Sequence, residues 1–273
     1  MRTLLTVVVA GSAALYTLAA IAHLSYMVRR EFDMLAKMST RAAWLVHSLG
    51  LVILVIHTGQ APFYTLFDFA YFFTWIMMSN YIALEFLRGG QAAGAFLVPT
   101  IALVQVACMG LPKSMPEEMV QEFPASLVGW HIGVIMLGYT FFVASFIAGA
   151  LYLLQERNLR AKRWGSFYHR VPPLETLDIW GGRFVSIGFP LMTIGMVVGL
   201  VFAHVTWAHF WQADPKVIFT VFVWLVYGGY LLMRKVWGWG GRKAAWWSVA
   251  GVAGLLINYF VMNLLSRLHR FGV

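Results

Sequence analysis

Eight stretches of this chain are almost free of charge, and each approaches the roughly 20 apolar residues that a helix needs to cross the hydrocarbon core of a bilayer. They cover residues 3–27, 42–60, 67–87, 91–110, 125–155, 184–206, 217–233 and 244–266, with Asp68 and Glu85 near the ends of the third. Backbone surrounded by lipid has no water to bond, so such segments fold as helices with internal hydrogen bonds. The expectation is an all-α, polytopic membrane bundle of about eight transmembrane helices. Only 11% of the 273 residues are charged, against about 25% in soluble domains. No polar stretch is long enough to fold separately, so residues 1–273 read as one integral membrane domain.

The net charge of +9 would suit a nucleic-acid binder, but the cations flank apolar runs, which points to lipid and not to nucleic acid. Their distribution predicts orientation. The first, third, fifth and seventh loops hold Arg29, Arg30, Lys37 and Arg41; Arg88; Arg157, Arg160, Lys162, Arg163, Arg170 and Arg183; and Arg234, Lys235, Arg242 and Lys243. The other side holds only Arg2, Lys113, Lys216, Arg267 and Arg270. The richer side is the cytoplasmic one, which puts both termini outside and the chain in the cell's inner membrane as a multi-pass protein. The first run is too long for a signal-peptide core and is followed by Arg29 and Arg30, so it is expected to be a retained helix.

Three local features have simple expectations. Gly195 and Gly199 have the spacing of close helix packing and need no functional content. Residues 172–180 carry Leu174, Leu177 and Trp180 at helical spacing after a basic run, which predicts a short helix on the inner membrane surface. Cys108 is the single cysteine, so there is no CxxC for thiol or metal chemistry.

The histidines are the residues most able to carry chemistry. On the predicted topology His131, His204, His209 and His269 gather at the outer ends of helices, while His23, His47 and His57 lie within the first two spans. A single histidine at a membrane end most often hydrogen-bonds at the interface; four on one face suggest a shared ligand. The loop at 207–216, W-A-H-F-W-Q-A-D-P-K, adds Trp207, Phe210 and Trp211, more aromatic surface than an interfacial belt requires. Asp214 and Pro215 would set its turn, and Asp214 would be free to orient a ligand histidine. Aromatic faces against a flat macrocycle and imidazoles against iron fit haem.

These residues resemble a known family. From about Leu127 onward the chain is similar to the haem-handling membrane proteins of cytochrome c assembly, the CcsA/ResC type, and most of all to their HemX-like branch. The similarity lies in W-H-I-G-V-I-M-L-G-Y (130–139), V-P-P-L-E-T-L-D (171–178), I-G-F-P-L-M-T-I-G (187–195), the 207–216 loop, G-W-G-G-R-K (238–243) and N-L-L-S-R-L-H-R-F-G (263–272), with a fainter likeness at 61–75. The resemblance implies that His131 and His269 are axial ligands of haem iron and that the tryptophan-rich loop is the haem platform. The family's loop usually has Trp and Glu where this chain has Ala213 and Val217. Exporting members carry membrane histidines where it has Gln60 and Leu232, and His47 and His57 are the nearest substitutes.

The function this implies is the handling of haem b, held or in transit, during cytochrome c maturation. The cofactor would carry the reactivity, and the chain would be a carrier more than an enzyme, at most part of a haem-attachment system. Its partners would be an apocytochrome c and a second assembly membrane protein. The alternative is an accessory regulator of haem synthesis acting through the 156–183 loop. A small-molecule transporter ranks below both, because no internal repeat is evident.

Overall fold

The computed structural model describes residues 2–59, 61–62, 65–88, 91–111, 125–162, 171–208 and 213–266. Among them are eight α-helices: α1 (Arg2–Tyr26), α2 (Asp33–Thr58), α3 (Leu66–Arg88), α4 (Gln91–Cys108), α5 (Ala125–Arg160), α6 (Leu174–Trp207), α7 (Pro215–Trp237) and α8 (Gly241–Leu265). A single 3₁₀ turn, Arg30–Phe32, joins α1 to α2. Five helices are long and apolar enough to span a membrane by length and composition. α1–α4 form one compact unit and α5–α8 another.

Two expectations are corrected. The basic stretch before residue 42 is not a loop, since α2 starts at Asp33, where a Lys37–Asp33 ion pair of 2.7 Å supports its first turns. Residues 172–180 do not make a separate surface helix; α6 starts at Leu174 and continues unbroken for 34 residues. Pro173 sits just before it, where a missing N–H costs nothing, and Leu177 is fully buried instead of lying on a surface. α5 is 36 residues long, about 54 Å at 1.5 Å per residue, and so projects beyond a 30 Å core.

In the first unit, α2 and α3 are cross-pinned. Trp44 and Trp75 stack at 6.1 Å; Trp44 Nε1 donates to Ser79 Oγ (2.9 Å) and Trp75 Nε1 to Ser48 Oγ (2.8 Å). Deeper in, Gln105 of α4 donates to Ser12 of α1 and accepts from Thr74 of α3. α3 opens with a reciprocal cap, Thr65 N to Asp68 and Asp68 N to Thr65 Oγ1.

The second unit packs Phe142, Val185, Met192, Val223 and Tyr227, with Phe142 and Tyr227 stacked at 3.6 Å. Gly138 and Gly188 bring α5 and α6 so close that a Cβ on Gly188 would stand 2.9 Å from the Gly138 carbonyl oxygen. Ser145 of α5 donates to the Gly181 carbonyl of α6 and bonds Ser248 of α8. One carboxylate ties three elements at one end. Asp178 of α6 takes a two-pronged contact from Arg234 at the end of α7 (2.9 and 2.8 Å) and the Gly241 N–H at the start of α8 (2.8 Å). This accounts for two sequence motifs, since Asp178 ends V-P-P-L-E-T-L-D and Gly241 lies in G-W-G-G-R-K. Both side chains are under a quarter exposed. Removing either alone strands a mostly buried charge. Asp178→Ala is therefore expected to cost about 2 kcal/mol in thermal unfolding, and Arg160→Ala, at an exposed pair, almost nothing.

Candidate functional site

His131 lies in the second turn of α5, against α6. Its Nδ1 is 2.8 Å from the Gly195 carbonyl oxygen. A carbonyl only accepts, so Nδ1 carries the proton and Nε2 keeps its lone pair when the ring is neutral. No partner for Nε2 is found among the described residues. Gly199, one turn further along α6, provides the room: a Cβ there would meet His131 Cε1 at 2.5 Å and Nδ1 at 2.6 Å. The Gly195–Gly199 pair therefore does more than let helices approach. It forms the socket of the histidine, one residue as acceptor and the other as space.

The donor set fits a haem ligand. Ligating imidazoles commonly donate their second nitrogen to a backbone carbonyl, which fixes the tautomer and the ring direction. His131 has that arrangement before any iron is considered.

Asp214 stands at the start of α7. It is the N-cap of α7, where its Oδ1 accepts from Lys216 N at 2.9 Å, and Pro215 fills the first helical position. Its Oδ2 accepts from Ser266 Oγ at 2.9 Å. Both residues are buried, and Ser266 is the residue that ends α8. Asp214 thus joins the start of α7 to the end of α8 through one carboxylate. Asp214 and Ser266, 52 positions apart in sequence, meet here. Where α6 gives way to the loop, Ala208 adopts a left-handed conformation (φ 59) and its N–H returns to the His204 carbonyl. That is a strained place for a non-glycine residue.

The other sequence candidates divide. His204 is exposed in the last turn of α6, and His57 is partly buried near the end of α2. His47 is fully buried in the first unit: its Nδ1 is 3.0 Å from the Tyr16 hydroxyl, its ring centroid is 4.0 Å from that of Tyr71, and its Nε2 has no partner among the described residues. His209, Phe210, Trp211 and His269 lie outside the described residues, as does the side chain of Trp207. The sequence marks Gly199 only as a packing residue, and it gives no sign of Ser266 or of the tyrosines around His47. Each could be sought only at helical spacing from a residue already suspected: Ser266 three before His269, and Gly195 and Gly199 on a helix facing His131.

Residues 43–269 match the cytochrome C assembly protein family. That span takes in the first unit from within α2 onward, α5–α8 and the whole His131 socket. The chain belongs to this family. It is 30% identical over 257 residues to a cytochrome c biogenesis protein CcsA of Thermosynechococcus vestitus, covering 80% of each chain. It is 29% identical to the CcsA of Guillardia theta, covering 80% of this chain and 78% of that one. The relatives also include Protein HemX of Bacillus subtilis, 26% identical over 84% of this chain and 83% of that one. Membership in this family and the long apolar helices make the chain a multi-pass membrane protein.

The socket has a direct test. Gly199→Ala places a methyl against the His131 ring and is expected to lower stability by about 1–3 kcal/mol. Gly133→Ala, on α5 with nothing within 4 Å of its Cβ, should leave the melting temperature unchanged or slightly raised.

Proposed function

We propose that this protein binds haem, of the b type, at the extracytoplasmic membrane face and presents it for cytochrome c maturation. The observation that carries the reading is His131, held by the Gly195 carbonyl so that Nε2 is left to coordinate. His269 is the second axial ligand in this reading, and Trp207, Phe210 and Trp211 are the platform. His204 and His209 are further candidate ligands in this reading. The family and its CcsA relatives support the assignment.

When bound, haem would supply the reactivity toward the thiols of an apocytochrome. The chain's own residues orient. Gly195 fixes the direction of the His131 ring and holds the proton on Nδ1. Gly199 leaves the ring space. Asp214 and Pro215 set the start of α7, and through Ser266 Asp214 sets the end of α8, three residues before His269. Thiol reduction falls to partners, since the sole cysteine, Cys108, is buried in the first unit.

A second reading has an observation of its own, the HemX relative. In it the chain is an accessory regulator of haem synthesis acting through residues 156–183 on the cytoplasmic side. Replacing residues 162–170 with a neutral linker separates the two: loss of function with haem content intact would favour regulation.

The main test is a reduced-minus-oxidised visible spectrum and a pyridine extract of the purified protein. A b-type signal is expected, lowered at least severalfold by His131→Ala and by His269→Ala and unchanged by His169→Ala, whose histidine lies in the basic stretch on the cytoplasmic side of this reading. Equal loss in all three, or no haem from haem-replete cells, would overturn the assignment.

A further inference from the structure

At one end of the second unit two guanidiniums share a single carboxylate. Glu156 of α5 holds Arg160, one turn on in the same helix, at 2.8 Å, and Arg242, in the first turn of α8, at 3.8 Å. The first contact is a hydrogen-bonded pair. The second is too long for a hydrogen bond, so the donors of Arg242 are not spent on Glu156. The two arginine side chains are 68% and 59% exposed, against 15% for Glu156. Two cations against one anion leave a surplus of positive charge, and the positive groups are the ones that face outward.

Exposed ion pairs alone contribute little and call for no ligand. A second feature shares their rim. Tyr152, one turn before Glu156, and Gly241, next to Arg242, both line an open cleft of about 180 Å³, its mouth included, together with Gly149, Asp178, Tyr230 and Ser248. The Tyr152 hydroxyl lies over Gly241, 2.7 Å from where a Cβ would stand, so a larger residue there would displace it. Asp178 is already spent on Arg234 and the Gly241 N–H, and it draws in no further cation. What the cleft mouth offers a ligand is the hydroxyl of Tyr152, which both donates and accepts.

Depth supplies the last condition. α8 has 25 residues, about 37 Å, so a helix that crosses a core of about 30 Å places Arg242 at the level of the lipid headgroups. Trp246, one turn further along α8 and 54% exposed, suits that boundary. A ligand for this rim is therefore amphiphilic. It needs a phosphodiester for the guanidiniums, a hydroxyl for Tyr152 and acyl chains for the apolar helix faces beyond.

We propose that the rim formed by Arg160, Glu156 and Arg242 binds one anionic phospholipid, its phosphate between the two guanidiniums and its glycerol headgroup against Tyr152. The lipid bridges α5 to α8 at the end of the unit where Asp178 already joins α6, α7 and α8. In the orientation that the cations predict, this is the cytoplasmic leaflet, whose anionic lipids attract basic groups beside a membrane span. No part of the proposal rests on the haem reading.

The experiment is native mass spectrometry of the full chain in detergent, titrated with phosphatidylglycerol, phosphatidylcholine or inorganic phosphate. One phosphatidylglycerol is expected to stay bound, at severalfold higher occupancy than phosphatidylcholine. Arg160→Gln and Arg242→Gln should each lower that occupancy about fivefold, the worth of one cation near an anionic surface. Tyr152→Phe, which keeps the ring, should lower it at least twofold. Glu156→Gln removes the competing carboxylate and should raise it, a change that loss of structure would not produce. Arg183→Gln and Lys235→Gln, at exposed cations of α6 and α7, should leave it unchanged. Equal occupancy by the two lipids, a fall with Glu156→Gln, or losses of the same size at Arg183 and Lys235 would overturn the proposal. So would retention of inorganic phosphate in place of the lipid.

Discussion

A polar group inside a membrane bundle has to be bonded by the protein itself, because lipid offers neither donors nor acceptors. Most of the interior follows from that constraint. Serines and threonines such as Ser39, Thr100 and Thr193 return their hydroxyls to carbonyls of the preceding turn. Where a hydroxyl oxygen has a lone pair to spare, a second helix uses it: Ser48 and Ser79 receive the two tryptophans, Thr193 receives Trp224, and Thr220 receives Asn258. The helices are therefore joined at discrete polar points within a packing of otherwise similar apolar surfaces. These points fix register, which dispersion forces between such surfaces specify poorly.

The same constraint gives the His131 socket its meaning. A histidine between helices must spend its N–H somewhere, and a carbonyl of α6 is available only where a neighbouring helix can come very close. Gly195 and Gly199 permit that approach. The contact that removes a structural cost also selects which nitrogen is left over. His47 shows a contrasting solution, a ring lodged between two tyrosines in a unit of its own, with its second nitrogen left inside the core. Their surroundings separate the two histidines more clearly than their sequence positions do.

The helix count was legible in the sequence because charge is expensive in lipid and its absence is easy to see. Helix ends were less legible. Asp33 and Lys37 looked like loop residues, yet an i,i+4 ion pair lets a helix continue past the apolar run into the interface. Residues 172–180 looked amphipathic for a surface, but Leu177 turned out to face the bundle, and nothing stops the helix before Trp207. In the candidate site, His131 and the Asp214–Pro215 turn could be found from residue type and spacing. The partners could not. Gly195 acts through its carbonyl, which every residue has, and Ser266 acts across 52 positions of sequence. Contacts of that kind exist only once the helices are side by side.

Two aspartates pin the last helix pair of the second unit, one at each end. Asp178 binds the end of α7 and the start of α8; Asp214 binds the start of α7 and the end of α8. α7 is 23 residues, about 34 Å long, so the two carboxylates hold the α7–α8 pair at opposite ends. A pair pinned at one end only would slide or splay at the other, since its apolar faces resist such motion weakly. Pinned at both, the ends of α7 and α8 keep their spacing without help from the loop between α6 and α7. In the proposed reading, that loop is the one that carries the residues for the ligand. It also begins with a strained left-handed Ala208, a conformation that persists only where surrounding structure enforces it.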